Sequence, residues 1–512
     1  MKKDIIILFF PGESFGQKKY FPYGILRMER MIRDLNIKTI LIDEQIQKDY
    51  NKIVYKYKDR ILLVVVNLLK NLQINRGITF SKLIKNYCPE SYVIWSGWQP
   101  SFLQHQTINE KYIDFLITGQ EEIPFRQLVK NIIENNFHNL TEINGIVYKK
   151  NDKIITVPHN KFSDINKFPK IDYTLIDINN YVFKNSFSKR CIKYYTSQGC
   201  PFNCSFCGSA TIYKGKWYHK NINDIIKDLK YFKKVANIES ISFCDNNFFT
   251  DKEFSISLCK SFIASKLNLL WEAGSHAGIF IKYFSDYDIE LFYKSGCRQL
   301  FTGAESGSQE ILDMLNKKLT VEDNIAFAKI TKNYNITPVF LTIIGFPFNP
   351  DKDVKATFEM IRKAKIINKS LKTRIHLFVP IPNTKMYEIA VNKGFKIPEK
   401  LDEYNSVLSE LKTPWIKKDY RWKLETFVNF YIPIADPLLY KYAPDKIRPV
   451  AFIVNKLFYP IAILRIKLNF FKFPVEAIIF LFLLKIFNKI MKTNITLFSE
   501  SYLNKNSLGF YY

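Results

Sequence analysis

Gly199-Cys200-Pro201-Phe202-Asn203-Cys204-Ser205-Phe206-Cys207-Gly208 decides how the chain is read. Its three cysteines are spaced CxxxCxxC between two glycines and beside a proline, so a compact loop can turn all three thiolates toward one metal centre. Ligation by cysteine alone favours iron-sulfur chemistry. Three thiolates would hold three irons of a cubane (4Fe-4S) cluster and leave the fourth iron open, as a catalytic metal site requires. The bland alternative is a zinc knuckle, which needs a fourth ligand and usually draws its cysteines from CxxC pairs.

The 512 residues suggest about three domains, and a hydrophobic content of 47% is ample for globular cores. Eight cysteines in so long a chain do not make a disulfide scaffold, and iron-bound thiolates need a reducing compartment, so a cytoplasmic protein is expected. Cys88, Cys191, Cys244, Cys259 and Cys297 read as buried or spare thiols. Met1-Lys2-Lys3 with the apolar run Ile5 to Phe10 mimics a signal peptide, yet the run is short and meets Pro11-Gly12-Glu13 without a small-residue cleavage site. It reads as a first β-strand. The net charge of +27 comes from scattered lysines, which describes a solvated basic surface or one attracted to anionic membranes. Nucleic acid is disfavoured, because no module for binding it stands out.

Outward from the cysteine loop toward the N-terminus, short apolar runs at 4–10, 39–43, 61–66, 92–96 and 115–117 alternate with helical patterns near 24–35, 79–87 and 122–134. That is a doubly wound parallel sheet. Ligands on such sheets bind beyond the carboxyl ends of the strands, here Pro11 to Gly16, Asn67 to Gly77, Gly97 to Ser101 and Gly119. Toward the C-terminus, strands are expected near 194–197, 240–244, 269–273, 299–303, 338–344 and 373–378, with amphipathic helices such as 224–235 between them.

Tyr195 to Tyr213, with the aromatic Phe206 just before the last cysteine, resembles the cluster loop of the radical S-adenosylmethionine enzymes. Phe21 to Leu26, Ser96-Gly97-Trp98 and Ile117 to Glu122 resemble the cobalamin-binding domain that precedes many such cores. The resemblance implies a cobalamin-binding-like α/β domain at 1–145, a connector at 146–190, a partial (β/α)6 barrel at 191–401 and a helical, aromatic and basic tail at 402–512. It implies a 4Fe-4S cluster on Cys200, Cys204 and Cys207, S-adenosylmethionine, and cobalamin. No histidine lies between Phe10 and Gly24, where family members that ligate cobalt carry one, so either cobalamin binds without a histidine ligand or the domain has kept the fold and lost the cofactor. His105 sits too far along the chain to stand in.

Four strand ends match the family's cofactor contacts. Asp245 after the second barrel strand falls where the methionine amino group is accepted. Gly303 and Glu305 end the fourth strand, with Glu305 in the place that contacts the ribose. Gly345 lies in the adenine-binding turn, and Val379 to Thr384 resembles a Pro-Gly-Thr loop in which Asn383 replaces the glycine. Gly97 is the corresponding cobalamin-side contact. His276 occupies a place that commonly holds arginine. Taken singly, an acidic residue after a strand is often only a helix cap.

The tail mixes aromatic and aliphatic runs with Lys and Arg. Its runs read as too short to span a bilayer, and suit either a membrane interface or a helical subdomain over the barrel mouth. The implied activity is methylation of an unactivated carbon in a small-molecule or lipid-like substrate, with electrons from a flavodoxin or ferredoxin. An anaerobic oxidative cyclase or rearranging enzyme shares the same two domains. A non-enzymatic cobalamin sensor is disfavoured by the complete cysteine triad. A tRNA methylthiotransferase would carry further cluster cysteines in the N-terminal domain, which has only Cys88.

Overall fold

The computed structural model describes residues 3–13 and 19–407 throughout and 413–482 in part. The first sheet is built from β1 (Ile5–Phe10), β2 (Lys38–Asp43), β3 (Ile61–Leu68), β4 (Tyr92–Gly97) and β5 (Phe115–Ile117), parallel and ordered 2-1-3-4-5. Its inner strands β1 and β3 are buried on both faces, so they read as nearly unbroken apolar runs. The two-residue period of β1 shows why. Ile5, Ile7 and Phe9 pack with Tyr50 and Phe80, from helices Tyr50–Tyr57 and Ile74–Tyr87. Ile6, Leu8 and Phe10 pack with Ile25, Met28 and Phe125, from helices Tyr23–Ile32 and Glu122–Ile133 on the other face. The sequence reading starts the third of these helices five residues late and omits Tyr50–Tyr57.

The sheet does not stop at residue 145. Strands β6 (Ile146–Lys150) and β7 (Lys153–Thr156) continue it antiparallel, joined by Asn151 and Asp152 at φ 49° and 58°. Two left-handed residues in sequence make the turn that matches strand twist. The connector therefore begins after Thr156, not at 146.

The second sheet holds six parallel strands: β8 (Cys191–Tyr194), β11 (Ser240–Phe243), β12 (Leu270–Ser275), β13 (Cys297–Glu305), β14 (Thr337–Ile344) and β15 (Lys372–Leu377), in chain order across the sheet. This is the expected open half-barrel. Its first strand ends at Tyr194, however, and Ser197–Gly199 (β9) leaves the sheet to pair antiparallel with Trp217–His219 (β10). The cysteine loop is the connection within that ribbon. Capping side chains fix several helix starts on the barrel: Asp251, Ser285, Thr320 and Thr384 each accept a backbone N–H of the first turn.

The two sheets share a core. Phe21, Tyr23 and Leu26, at the head of the first helix, pack with connector residues Tyr173 and Tyr181 against Ile225, Leu229 and Phe232 of the barrel helix Ile222–Ala236. The Tyr181 hydroxyl donates to Asp43 at 2.7 Å. In the tail, helix Arg448–Lys467 runs 20 residues straight through Pro460. Its apolar run is thus not cut short, and by length and composition it is long enough to cross a membrane. The aliphatic run from Leu483 onward lies outside the described residues.

Candidate functional site

The cysteine loop is pinned on both sides by backbone. Ser205 N–H donates to the Leu315 carbonyl and its own carbonyl accepts from Met386 N–H, both at 2.9 Å, while Asn316 Nδ2 donates to Asn203 O at 2.8 Å. Cys200 N–H donates to Lys216 O at 3.1 Å and ties the loop to the ribbon. The loop is thus preformed by residues far away in sequence. Cys204 is buried and Cys200 and Cys207 are half-buried. Burial pushes the Cys200 thiol up and the Cys204 thiol to about 11, with the Lys317 ammonium pulling the other way. Among the described residues no three Cys, His, Asp or Glu side chains crowd closely enough to share one ion. Three cysteine thiols on one preformed loop, with no fourth protein ligand in the motif, are the donor set of a cluster with an open corner iron, whereas a structural zinc takes a fourth ligand.

Lys317 is the residue that sequence reading missed. Its Nζ sits 2.9 Å from Glu305 Oε1 and 6.0 Å from the Phe206 ring centre. Burial lowers this ammonium, yet Glu305 and the neighbouring Cys204 outweigh it and hold its pKa above the ordinary lysine value. Glu305 itself is buried at φ 54°, where the pairing of β13 with β14 slips. Such a bulge re-aims the strand's last side chains. Gly303 completes the arrangement, because a Cβ there would lie 2.3 Å from Glu305 Oε1 and 2.8 Å from Lys317 Nζ.

Asp245 is differently placed. Its Oδ1 accepts from Thr196 N–H at 3.0 Å, from Thr196 Oγ1 at 2.9 Å and from the Ser197 hydroxyl. Burial pushes its carboxyl up, and these donors pull it back. Neighbouring Asn246 donates to Gly199 O at 3.0 Å and accepts from Ser209 at 3.1 Å. Both residues hold the flanks of the cysteine loop.

His276 does not supply the missing cation. Burial and then Lys317 lower its pKa to about 4, so it is neutral, and its nitrogens engage Lys317 O at 2.8 Å and Ile279 N at 3.3 Å. Its ring stacks on Phe202, 5.2 Å between centres. Gly345 ends β14, and its carbonyl accepts from Trp415 Nε1 at 3.0 Å. Asn383 takes the left-handed φ of 64°, which asparagine tolerates better than most residues. Its amide donates to Phe102 O at 3.1 Å.

That last bond belongs to a seam between the domains. Loops at the carboxyl edge of the first sheet touch both flanks of the cysteine loop. Phe102 lies against Gly208 so closely that a Cβ there would meet its ring at 2.5 Å, and Gln120 Nε2 donates to Gln198 Oε1 at 3.3 Å. Gly97, at φ 99°, brings its backbone within reach of Leu68 O, 2.3 Å from where a Cβ would stand. Asn67 donates to Ser96 and to Glu121, each at 3.0 Å. Burial pushes the Glu121 carboxyl up to about 7, against the pull of Arg27. Asn67 Oδ1, Arg27 Nε and Glu122 Oε2 are buried without a hydrogen-bond partner in the chain. Orphaned polar atoms at a sheet's carboxyl edge fit a ligand rich in amides, as cobalamin is. His105 is exposed beside Asn109. His159, which the sequence reading passed over, is buried, and its Nε2 accepts from Gln120 N–H at 2.8 Å. Part of the loop after β1 lies outside the described residues.

Residues 194–361 match the family model of the radical SAM superfamily, so the half-barrel with its cysteine loop is a radical S-adenosylmethionine domain. The chain thus carries a radical S-adenosylmethionine domain, and its two-domain fold is like that of solved cobalamin-dependent radical enzymes. An uncharacterised methyltransferase of Pyrococcus horikoshii is 24% identical over 80% of this chain and 88% of its own. The cobalamin-dependent radical enzyme OxsB superposes with TM-score 0.69 at 15% identity, over 95% of this chain and 75% of that one. The methyltransferase TsrM of Kitasatospora setae, solved with cobalamin and a 4Fe-4S cluster, superposes with TM-score 0.62 at 14% identity, over 77% and 75%.

Proposed function

We propose that this enzyme is a cobalamin-dependent methyltransferase acting on an unactivated carbon of a small, lipid-like molecule. The observation that carries the reading is the seam, where the carboxyl edges of both sheets meet at the cysteine loop. When bound, the cluster with S-adenosylmethionine supplies a 5'-deoxyadenosyl radical and cobalamin a transferable methyl group.

The chain's own part is to bind, orient and exclude water. Cys200, Cys204 and Cys207 would hold the cluster, and buried Lys317 offsets the negative charge that collects there. Lys317 is also the cation for the methionine carboxylate, a task His276 cannot perform while neutral. Glu305, with one oxygen on Lys317, would offer the other to the ribose. Asp245 is a positioning residue, since its Oδ1 accepts from Thr196 and Ser197 and would thereby fix the strand end that faces the methionine amino group. Gly303 and Gly345 let the nucleoside approach backbone. On the opposite side of the seam, Gly97, Asn67 and Glu121 would hold cobalamin. A flavodoxin or ferredoxin delivers the electron.

The test is the product balance of the full chain, reconstituted anaerobically with cluster and cobalamin and given methyl-labelled S-adenosylmethionine with a lipid extract. Methyl transfer consumes two molecules of S-adenosylmethionine, so S-adenosylhomocysteine and 5'-deoxyadenosine form in about equal amounts and label enters the product. Deoxyadenosine formed with neither S-adenosylhomocysteine nor labelled product overturns the reading in favour of a cyclase.

A further inference from the structure

The tail is built inside out. On helix Arg448–Lys467 two polar residues, Arg465 and Asn455, point inward and are paired. Arg465, 7% exposed, holds Glu476 through Nη2 at 2.6 Å and Nε at 3.1 Å, and the Tyr431 hydroxyl donates to the same carboxylate at 2.8 Å. Asn455, 3% exposed, donates to Ile434 O at 3.0 Å. Ala462 and Ile466 join them on the inner face, while a continuous stripe of larger aliphatic residues faces the other way. Ile453, Leu457, Leu464 and Leu468 are exposed, Leu457 by 65%, and at helical spacing they lie within about 60° of arc. Val475, Ile478, Ile479 and Phe482 form a second exposed stripe at the same spacing on the segment that follows. Only 28% of the apolar window of the long helix is buried in the protein.

A core helix of a soluble domain has the opposite arrangement, with its leucines inward and its arginine at the surface. Apolar residues outward and paired charges inward is the order that a hydrocarbon surrounding selects. We infer that the tail seats the enzyme on the surface of an anionic lipid bilayer, both stripes dipping into one leaflet. The helix lies flat and does not cross, because its inner face packs on helix Pro350–Ile367 of the barrel. The charge balance fits an anionic surface. Lys456 projects beside the stripe with its ammonium 5.7 Å from the Phe452 ring centre, in a chain of net charge +27.

The location also bears on the substrate. The tail's core includes Ile375 and Leu377 of β15, the edge strand of the half-barrel, so the lipid-facing stripes border its open side. An apolar molecule could pass sideways from the leaflet toward the strand ends without entering water. This second point rests on the methyl-transfer reading; the docking does not.

Flotation of the intact protein with vesicles tests the docking and needs no turnover. Phosphatidylcholine vesicles containing phosphatidylglycerol should carry the protein upward, and pure phosphatidylcholine should carry less. Leu457→Glu combined with Leu464→Glu should weaken partitioning roughly a hundredfold, because both side chains stand exposed on the stripe and lose their burial in lipid. Lys456→Glu, which leaves the stripe intact, should weaken it a few-fold, and only on anionic vesicles. Iron content and circular dichroism should match the parent in every case. The inference is overturned if the intact protein ignores both vesicle types, if the double variant floats as well as the parent, or if the parent is a dimer in solution that the double variant splits, which would make the face a contact between copies.

Discussion

Two carboxylates stand at equivalent places in the half-barrel, Asp245 after its second strand and Glu305 at the end of its fourth, and the protein treats them oppositely. Asp245 takes three donors from Thr196 and Ser197 on its Oδ1 and acts on the scaffold of the cysteine loop. Glu305 sits on a bulge in a left-handed conformation, with the buried Lys317 ammonium as its partner. A strand-end position therefore says where a carboxylate can act. What it acts on depends on how many donors the fold brings to it.

The largest effect expected is at the centre both residues serve. Cys204→Ala should remove the brown chromophore and nearly all bound iron, whereas Cys191→Ala, deep in β8, should keep both; full iron and sulfide in the first variant would dissolve the whole arrangement. Next comes Asp245→Ala, which strands the buried donors of Thr196 and Ser197. It should cost about 3 kcal/mol in chemical denaturation and lower cluster loading. The comparison breaks if Asp245→Ala folds and loads normally but no longer binds S-adenosylmethionine. Lys317→Met should do the reverse, leaving iron content near the parent's and weakening S-adenosylmethionine roughly 10- to 100-fold by calorimetry. Unchanged affinity there would mean that the ammonium serves Glu305 alone.

The smallest effect is at the other edge of the seam. Burial in the folded protein raises the Glu121 carboxyl from the ordinary glutamate range to about 7. The folded chain therefore holds a proton that the unfolded chain has released across that window, and stability falls as pH rises through it. Glu121→Gln should remove that loss. Thermal unfolding should be unchanged at the acid end of the window and shifted upward by a few degrees above it, for a gain of about 1 to 2 kcal/mol. A variant equally stabilised at both ends would show that packing, not ionisation, is responsible.

Local patterns told most of this from the sequence. The cysteine spacing, the apolar runs and the acidic strand ends are each contained in a few consecutive residues, and they located both sheets and the loop between them. Lys317 carries no such mark. It is one of two adjacent lysines in a lysine-rich chain, and it matters only because the bulge at Glu305 and the absent side chain of Gly303 make room for it. The hairpin after residue 145 was legible in principle, since Asn151-Asp152 is a strong turn signal. Its strands are half polar, being an exposed edge, and do not look like the buried strands before them. In the tail, periodicity shows the stripes but not which side faces the protein, and that depends on the distant partner Glu476.

Helix Tyr23–Ile32 leaves the ribosome early, yet the apolar face that begins at Phe21 is completed only by Ile225, Leu229 and Phe232. At a synthesis rate of about 5 to 20 residues per second, the roughly 200 residues between them take about 10 to 40 seconds to emerge. Throughout that interval the N-terminal domain can close its own sheet but must carry an uncovered aromatic patch. The enzyme is therefore a natural client for a chaperone that shields nascent chains, and a fragment ending before the barrel should be recovered bound to one or as aggregate.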